Sequence, residues 1–261
     1  MKYLRAFCIA AAMYSRLPVP NVRWDEESKA MVLFFFPLLG VIEGGLLYGI
    51  ARFLLLGRVS APLSAFLMTA APLLFTGGIH FDGFLDTVDA LGSWKGKAEK
   101  LAILKDVHAG SAAVLQGVLL LLSVFASWET VFSGGATVRI LPQVLCGFLL
   151  SRALSALSIF VLPNARGAGT VYDFTAEKQR RRGRGISLFY LLLGSVWLML
   201  TGTRLTGFVI LAAVLAAALY SACRARFSFG GMTGDLAGFL LTNCEAAAVF
   251  AAACISCLNS L

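Results

Sequence analysis

The sequence predicts an all-α fold, a polytopic integral membrane bundle of about seven transmembrane helices that forms one domain over residues 1–261. Apolar residues make up 59% of the chain and charged residues 14%, against the ~25% charged residues of soluble domains. The mean hydropathy is +0.82. Windows of roughly membrane-spanning length recur, at 31–56, 59–79, 108–132, 137–161, 186–203, 205–222 and 236–258. The short polar break between the fifth and sixth windows, Gly202-Thr203-Arg204, leaves six or eight spans as alternatives.

The N-terminal segment is apolar but too short to cross a bilayer. Lys2 and Arg5 come before a short apolar run, which ends before Leu17-Pro18-Val19-Pro20. No secretory signal is evident. The pattern is typical of an amphipathic segment that lies in the membrane interface and stops at the prolines.

The basic residues predict the orientation in the membrane. With seven spans, one face collects residues 1–30, 80–107, 162–185 and 223–235, which hold 17 of the 22 lysines and arginines. By the positive-inside rule this face is cytoplasmic, the C-terminus is outside, and the chain belongs in the cytoplasmic membrane. The net charge of +8 is therefore a topology signal, and it gives no reason to expect nucleic-acid binding. The basic run 180–184 is interpreted as an anchor before the next span, with anionic lipid or a substrate phosphate as its alternative ligands.

The six cysteines lie in or beside apolar windows. Cys254 and Cys257 form a C-x-x-C pair, but within a hydrophobic helix and without a second pair of ligands. We therefore expect packing rather than zinc binding or redox chemistry.

In this largely apolar chain, residues 77–89 form a polar stretch with the sequence Gly-Gly-Ile-His-Phe-Asp-Gly-Phe-Leu-Asp-Thr-Val-Asp. If residues 81–91 are helical, Asp86 lies about 40° to one side of Asp82 and Asp89 about 20° to the other. Like charges so placed repel each other. A hard divalent cation with oxygen ligands is the simplest compensation, which makes the three aspartates candidate metal ligands. His80 points about 160° away from Asp82 and does not join their stripe.

Two further polar clusters lie on the same predicted face. Leu104-Lys105-Asp106-Val107-His108 holds one of the protein's two histidines, and His80 is the other. Gly230-Gly231-Met232-Thr233-Gly234-Asp235 repeats the Gly-Gly-x-x-x-Asp spacing of Gly77 to Asp82. Adjacent glycines let a backbone approach a ligand closely and expose its amides to anions.

Three ionisable residues, Glu43, Arg152 and Glu245, fall within the predicted spans. Each is costly in hydrocarbon unless it faces a cavity or a partner. Arg152 either neutralises one of the glutamates or contacts substrate, and both interpretations stay open.

Aspartates, glycines and basic residues on one membrane edge suit Mg²⁺-dependent phosphoryl chemistry, in which carboxylates hold the metal and cations neutralise developing charge. A solvated helix face and a cation-transport site are the alternatives for the three aspartates. No G-x-x-x-x-G-K-[ST], G-x-S-x-G or H-E-x-x-H motif is present, which excludes the common nucleotide-binding loop, the serine-hydrolase elbow and the zincin site.

The three clusters, with the N-terminal Tyr14-Ser15-Arg16-Leu17-Pro18-Val19-Pro20 and the mid-chain Ser151-Arg152, resemble the cobalamin synthase family over nearly the whole chain. Val107 and His108 depart from its pattern, which has serine and arginine there. The resemblance implies an integral membrane enzyme that transfers the phosphoaminopropyl-corrinoid of adenosylcobinamide-GDP to α-ribazole or its 5′-phosphate. GMP is released, and Mg²⁺ is the expected cofactor. The active-site loops are then expected on the cytoplasmic face.

The implied roles are hypotheses about individual residues. Asp235 is a further metal ligand or the base for the incoming hydroxyl, and His80 and Lys105 contact phosphate. The expected metal ligands are Asp82, Asp86, Asp89 and Asp106. The expected substrate-binding residues are Arg16, Gly77, Gly78, Arg152, Gly230, Gly231 and Thr233.

Two other functions stay open at this point. A CDP-alcohol-type phosphotransferase performs the same bond chemistry, but its D-x-x-D-G-x-x-A-R signature differs from the spacing of Asp82, Asp86 and Asp89. A secondary transporter would use Glu43, Arg152 and Glu245 at the midplane. The sequence determines neither the acceptor preference nor whether the chain forms an oligomer.

Overall fold

The computed structural model describes residues 1–106, 108–134, 137–167 and 177–258. Within these residues the chain is helical and has no β-strand. The helices in order are α1 Lys2–Tyr14, α2 Glu26–Lys29, α3 Val32–Leu56, α4 Ala61–Thr76, α5 Ile79–Gly92, α6 Lys97–Ile103, α7 Ser111–Ser133, α8 Thr137–Val161, α9 Glu177–Leu200, α10 Arg204–Arg224, a π-helix Ala225–Phe229, and α11 Gly234–Leu258.

Six of the described helices are each long and apolar enough to cross a membrane: α3, α7, α8, α9, α10 and α11. The pair α4 and α5 qualifies only when taken together, and it bends by 95° at its break. The prediction of about seven spans in an all-α multi-pass protein is thus confirmed, with the bent pair as the seventh. The window 59–79 is shorter in the structure than in the sequence pattern. Its helix ends at Thr76 because the next two residues adopt left-handed backbone angles.

The centre of the bundle is formed by α8 and α11. The main core cluster joins α8 residues such as Leu141 and Val144 to α11 residues such as Leu240 and Cys244. The outward surfaces of α7, α9 and α10 remain apolar, with Leu119, Leu192 and similar side chains exposed. Large exposed apolar surfaces on spanning helices are what contact with lipid requires.

The N-terminal segment is a helix, as predicted, and one side of it faces protein. Ile9, Ala10 and Ala11 of α1 are fully buried in a second core cluster with α3 residues. The helix stops at Tyr14, ahead of the prolines. Arg5 reaches Asp25, the N-cap of α2, at 3.3 Å. This ion pair holds α1 beside the N-terminal end of α3, close to the site described below.

The described residues contain no disulfide. Cys8, Cys146 and Cys244 are buried, and Cys254 and Cys257 lie exposed on α11. The three buried cysteines pack as expected, whereas Cys254 and Cys257, for which packing was also expected, lie on the surface of the bundle.

Candidate active site

The bend between α4 and α5 is built from two left-handed glycines. Gly77 and Gly78 have φ of 66° and 81°, a conformation that other L residues rarely adopt. The amide of Arg16 donates to the carbonyl of Phe75 at 2.7 Å. A Cβ on Gly77 would collide with the Arg16 guanidinium. The bend therefore brings Arg16, which follows the C-terminal end of α1, into contact with the Gly77-Gly78 backbone.

The predicted acidic stripe exists on α5. Gly83, Thr87 and other buried residues form one side of the helix, while Asp82 is exposed and Asp86 and Asp89 are partly exposed. Asp86 experiences the negative charges of Asp82, Asp235 and Asp89, against the positive charge of Arg166. The carboxylates thus gather on one side of α5. The positive charge of Arg166 is too small to balance their negative charge.

Two glycines let α5 and α11 approach closely enough to place Asp235 in this cluster. A Cβ on Gly83 would lie 2.7 Å from the carbonyl oxygen of Asp235, and one on Gly238 would lie 3.0 Å from that of His80. Thr242 adds a bond to the same His80 carbonyl, donated from its hydroxyl at 3.2 Å. The two helices therefore contact each other through backbone at their crossing.

The second glycine pair shapes the entry to α11. Gly230 is left-handed, with φ of 85°. The next residues pair with the end of α8: the Met232 amide donates to Pro163 O at 2.8 Å, and the Ala165 amide donates to Met232 O at 3.0 Å. A side chain on Gly231 would collide with Pro163 O. Thr233 then accepts from the Leu236 amide at 3.2 Å and so caps α11.

Arg166 lies in the site although it was not among the predicted site residues. In the sequence it counted only as one of the basic residues that predict the orientation in the membrane. Its Nη2 donates to Asp235 Oδ2 at 3.1 Å. Asn164 Oδ1 fixes the turn by accepting from the amides of Arg166 and Gly167, at 2.8 and 2.7 Å. The available signal was the turn-forming run Pro163-Asn164-Ala165-Arg166-Gly167.

His80 lies under the bend, away from the acidic stripe, as the helical spacing predicts. Its ring stacks on Tyr14 with centroids 6.0 Å apart and meets Phe36 edge-on at 5.5 Å. The residue is 8% exposed, and its buried Nε2 has no hydrogen-bond partner among the described residues. Its expected role as a phosphate contact stays a prediction that needs the aromatic pocket to open.

Asp89 points to the start of α7. Its carboxylate lies against Gly110, the N-cap residue of α7, where a Cβ would collide with it. A carboxylate near a helix N-terminus is stabilised by the exposed amides and the helix dipole. Asp89 therefore links the acidic stripe to α7 as well as facing the cluster.

Lys105 and Asp106 lie in the exposed connection between α6 and α7. Asp106 Oδ1 accepts from the amide and Nδ1 of His108, at 3.0 and 2.8 Å. These hydrogen bonds hold the pKa of Asp106 below its usual value. Asp106 is not one of the described charged groups that act electrostatically on Asp86. Val107 lies outside the described residues.

Arg152 is buried in the bundle, between two glutamates. Its Nη2 bonds Glu43 and its Nη1 bonds Glu245 Oε1 at 2.6 Å. The guanidinium also lies 5.9 Å from the Phe36 ring centroid. Of the two interpretations of Arg152, neutralisation of the glutamates is confirmed. Contact with substrate stays a prediction.

The donor set suits a hard cation that keeps much of its own water. Within the described residues, no three His, Cys, Asp or Glu side chains are arranged to hold one metal ion by themselves. Mg²⁺ commonly binds through one or two carboxylates, several waters and substrate phosphates, without a full protein cage. The clustered charges around Asp86, with their deficit of positive charge, fit that mode of binding.

Comparisons with known proteins give the relatives of this chain. The sequence model of the cobalamin-5-phosphate synthase family matches residues 6–253. Similar curated proteins are named adenosylcobinamide-GDP ribazoletransferase. One from Lachnoclostridium phytofermentans is 35% identical, covering 94% of this chain and 92% of its own. One from Clostridium perfringens is 32% identical, covering 93% and 95%, and one from Pseudomonas putida is 34% identical, covering 93% and 96%.

No solved structure matches the chain. The family match extends over both glycine pairs, the acidic stripe and Asp235, which are the parts that the fold brings together. The chain belongs to the cobalamin-5-phosphate synthase family.

Proposed function

We propose that this chain is an Mg²⁺-dependent ribazoletransferase of cobalamin biosynthesis. It transfers the phosphoaminopropyl-corrinoid of adenosylcobinamide-GDP to α-ribazole or its 5′-phosphate and forms adenosylcobalamin or its 5′-phosphate. Membership of the family and the names of its relatives support the reaction. The observation that carries it is the glycine-mediated crossing of α5 and α11, which joins the two Gly-Gly-x-x-x-Asp segments into one acidic site.

The reaction is an attack by an alcohol on a diphosphate. The ribose 3′-hydroxyl forms a bond to the phosphorus that carries the aminopropyl corrinoid, the bond to the bridging oxygen breaks, and GMP leaves. The attacking hydroxyl must lose its proton. Asp235 would accept that proton or act as a further metal ligand, and Arg166 orients its carboxylate through the 3.1 Å bond.

Asp82, Asp86 and Asp89 would hold Mg²⁺, with Asp106 joining if its bonds to His108 open. When bound, the ion supplies Lewis-acid polarisation of the diphosphate and neutralises charge that develops on the leaving phosphate. The three carboxylates would hold the cation on one side of α5, and the Asp89 carboxylate also lies against the start of α7.

The glycine pairs and basic residues would bind the anionic substrate. Gly77 is exposed and Gly78 partly so, so their backbone is open to a ligand, and Arg16 lies on it. Lys105, exposed in the connection between α6 and α7, would turn toward a phosphate. Gly230, Gly231 and Thr233 would play the corresponding role at the entry to α11. The positive-inside distribution supports a cytoplasmic position for this end of the bundle.

The deciding experiment measures GMP release from adenosylcobinamide-GDP by the protein in liposomes with α-ribazole or its phosphate. The wild type is expected to release GMP only with Mg²⁺ and an acceptor. Asp82→Asn should abolish turnover while the protein still inserts, whereas Glu99→Gln, which alters an exposed acid on α6, should not. Normal Mg²⁺-dependent turnover by Asp82→Asn would refute the metal assignment, and absence of GMP release by the wild type would refute the function.

A further inference from the structure

An open cavity of about 450 Å³ lies between α5, α7, α10 and α11. Phe84 and Val88 of α5 line it, and each lies two residues from an acidic position on that helix. Two residues along a helix correspond to about 200°, so the cavity is on the opposite side of α5 from the carboxylates. It is therefore distinct from the candidate active site, although both share one helix.

The rim of the cavity lies on surfaces that meet lipid. Leu119 of α7 and Tyr220 of α10 both line it, and they are 53% and 54% exposed. Both helices qualify as membrane spans. Behind this rim, Phe84 and Phe239 stack with centroids 5.7 Å apart and form an apolar wall. The opening is thus sideways, toward the hydrocarbon of the bilayer.

One cation lines this otherwise uncharged cavity. Arg224 lies in the last turn of α10, in a segment that the positive-inside distribution places on the cytoplasmic side. Its Nε is buried and has no hydrogen-bond partner among the described residues. A buried donor without a partner is costly, so a ligand with an acceptor at this point would be stabilised. Gln116, one turn into α7, lines the same cavity with an amide.

We propose that this cavity binds one anionic phospholipid of the cytoplasmic leaflet. The headgroup phosphate accepts hydrogen bonds from Arg224, and an acyl chain lies along Leu119 and the Phe84–Phe239 wall. Basic pockets between transmembrane helices on the cytoplasmic side characteristically bind such headgroups. A nucleobase would also match aromatic walls and an amide, but it has no need of an opening toward hydrocarbon.

The bound lipid would support the back of the helix that carries the acidic stripe. Phe84 is adjacent to Gly83, where α5 meets the backbone of Asp235. Filling the cavity restricts movement of α5 away from α11, because Phe84 and Phe239 belong to these two helices. The proposal concerns binding alone and does not depend on the proposed transferase activity.

Native mass spectrometry of the detergent-purified protein tests it, with phosphatidylglycerol or phosphatidylcholine added at equal concentration. The wild type is expected to retain one phosphatidylglycerol in preference to phosphatidylcholine. Arg224→Gln should lower that retention about tenfold, the usual scale of one charge-assisted hydrogen bond. Ser123→Phe, which fills the cavity, should lower it similarly. Arg23→Gln, which alters an exposed arginine between α1 and α2, is the matched control and should retain lipid like the wild type.

Two results would overturn the proposal. One is equal retention of phosphatidylglycerol by Arg224→Gln and Arg23→Gln. The other is saturable binding of guanosine or α-ribazole to the delipidated wild type that Ser123→Phe abolishes while phosphatidylglycerol retention is unchanged, which would make the cavity a base-binding site. If Ser123→Phe does not fold, the Arg224→Gln comparison alone decides, because Arg224 is only partly buried and its substitution leaves the apolar core unchanged.

Discussion

Two clusters in this molecule combine one arginine with a larger number of carboxylates, and their surroundings differ. In the bundle, the side chain of Arg152 is 1% exposed and that of Glu43 is fully buried. At the α5–α11 crossing, the side chains of Arg166 and Asp235 are 25% and 28% exposed. The buried cluster has its cation bonded to both glutamates, and the open cluster has one arginine among four aspartates.

The difference shows how the same residue types serve two purposes. Arg152 joins α3, α8 and α11 through Glu43 and Glu245, so its hydrogen bonds are used within the protein. Around Asp86 the surplus negative charge is left to a ligand. Burial with mutual pairing favours a structural connection, whereas partial exposure with unbalanced charge favours binding of a cation.

The largest effect is expected from Arg152→Met. Removal of one partner from a buried ion pair leaves uncompensated charge and typically costs about 3–5 kcal/mol of unfolding free energy. Denaturant unfolding in detergent measures the loss. The triple variant Glu43→Gln, Arg152→Met, Glu245→Gln removes the charges together and should recover most of it. Wild-type stability of Arg152→Met alone would contradict the structural interpretation.

Asp86→Asn should show the opposite pattern. We expect turnover to fall about 100-fold, equivalent to ~2.7 kcal/mol in the activation barrier, because a proposed metal ligand is lost. Stability should not fall, since one of several mutually repelling charges is removed. GMP release over a Mg²⁺ titration and unfolding of the same preparation are the two measurements. A loss of stability comparable to that of Arg152→Met would show that the carboxylates of the open cluster also serve as a structural connection.

Gly83→Ala tests the crossing that assembles the open cluster. The added Cβ would lie 2.7 Å from a backbone oxygen, which cannot rotate away. Overpacking of this kind costs about 1–3 kcal/mol, and here it should lower activity together with stability. Gly185→Ala on α9 is the control, because a Cβ there meets nothing within 4 Å. An unaffected Gly83→Ala variant would argue against close contact between α5 and α11.

Arg166→Gln should change substrate binding more than folding. The substitution removes the bond that orients Asp235 and a positive charge beside the proposed diphosphate site. We expect KM for the nucleotide substrate to rise about tenfold, which corresponds to ~1.4 kcal/mol. Arg166→Lys retains the charge but not the fork geometry, and it should recover only part of the affinity. Steady-state kinetics at fixed Mg²⁺ distinguish the two variants.

Asp106→Asn should have the smallest effect, with activity reduced less than about fivefold, because Asp106 is exposed and already bonded to His108. Since its pKa is lowered in the folded protein, any stabilisation is present above the ordinary aspartate pKa and is lost as pH falls through the lowered value. Acid unfolding of the variant and wild type checks this sign. A loss of activity as large as that of Asp86→Asn would instead place Asp106 among the metal ligands.

Features that depend on residues close together in the chain could be predicted from the sequence. Hydropathy over windows of about 20 residues identified the spans, because crossing a bilayer requires an apolar run of fixed length. The 3.6-residue period placed Asp82, Asp86 and Asp89 on one side of α5 and His80 on another, and the helix Ile79–Gly92 agrees.

Only the tertiary structure decided which distant residues meet. Asp235 joins the acidic stripe across some 150 residues because Gly83 and Gly238 allow backbone contact, and Arg166 reaches it through a turn after α8. Arg152 proved to bond both glutamates. Such contacts depend on how whole helices pack, and periodicity along the chain carries no information about that. The glycines Gly77 and Gly78 predicted a close approach of backbone to a ligand, but not the 95° bend that sets the direction of α5.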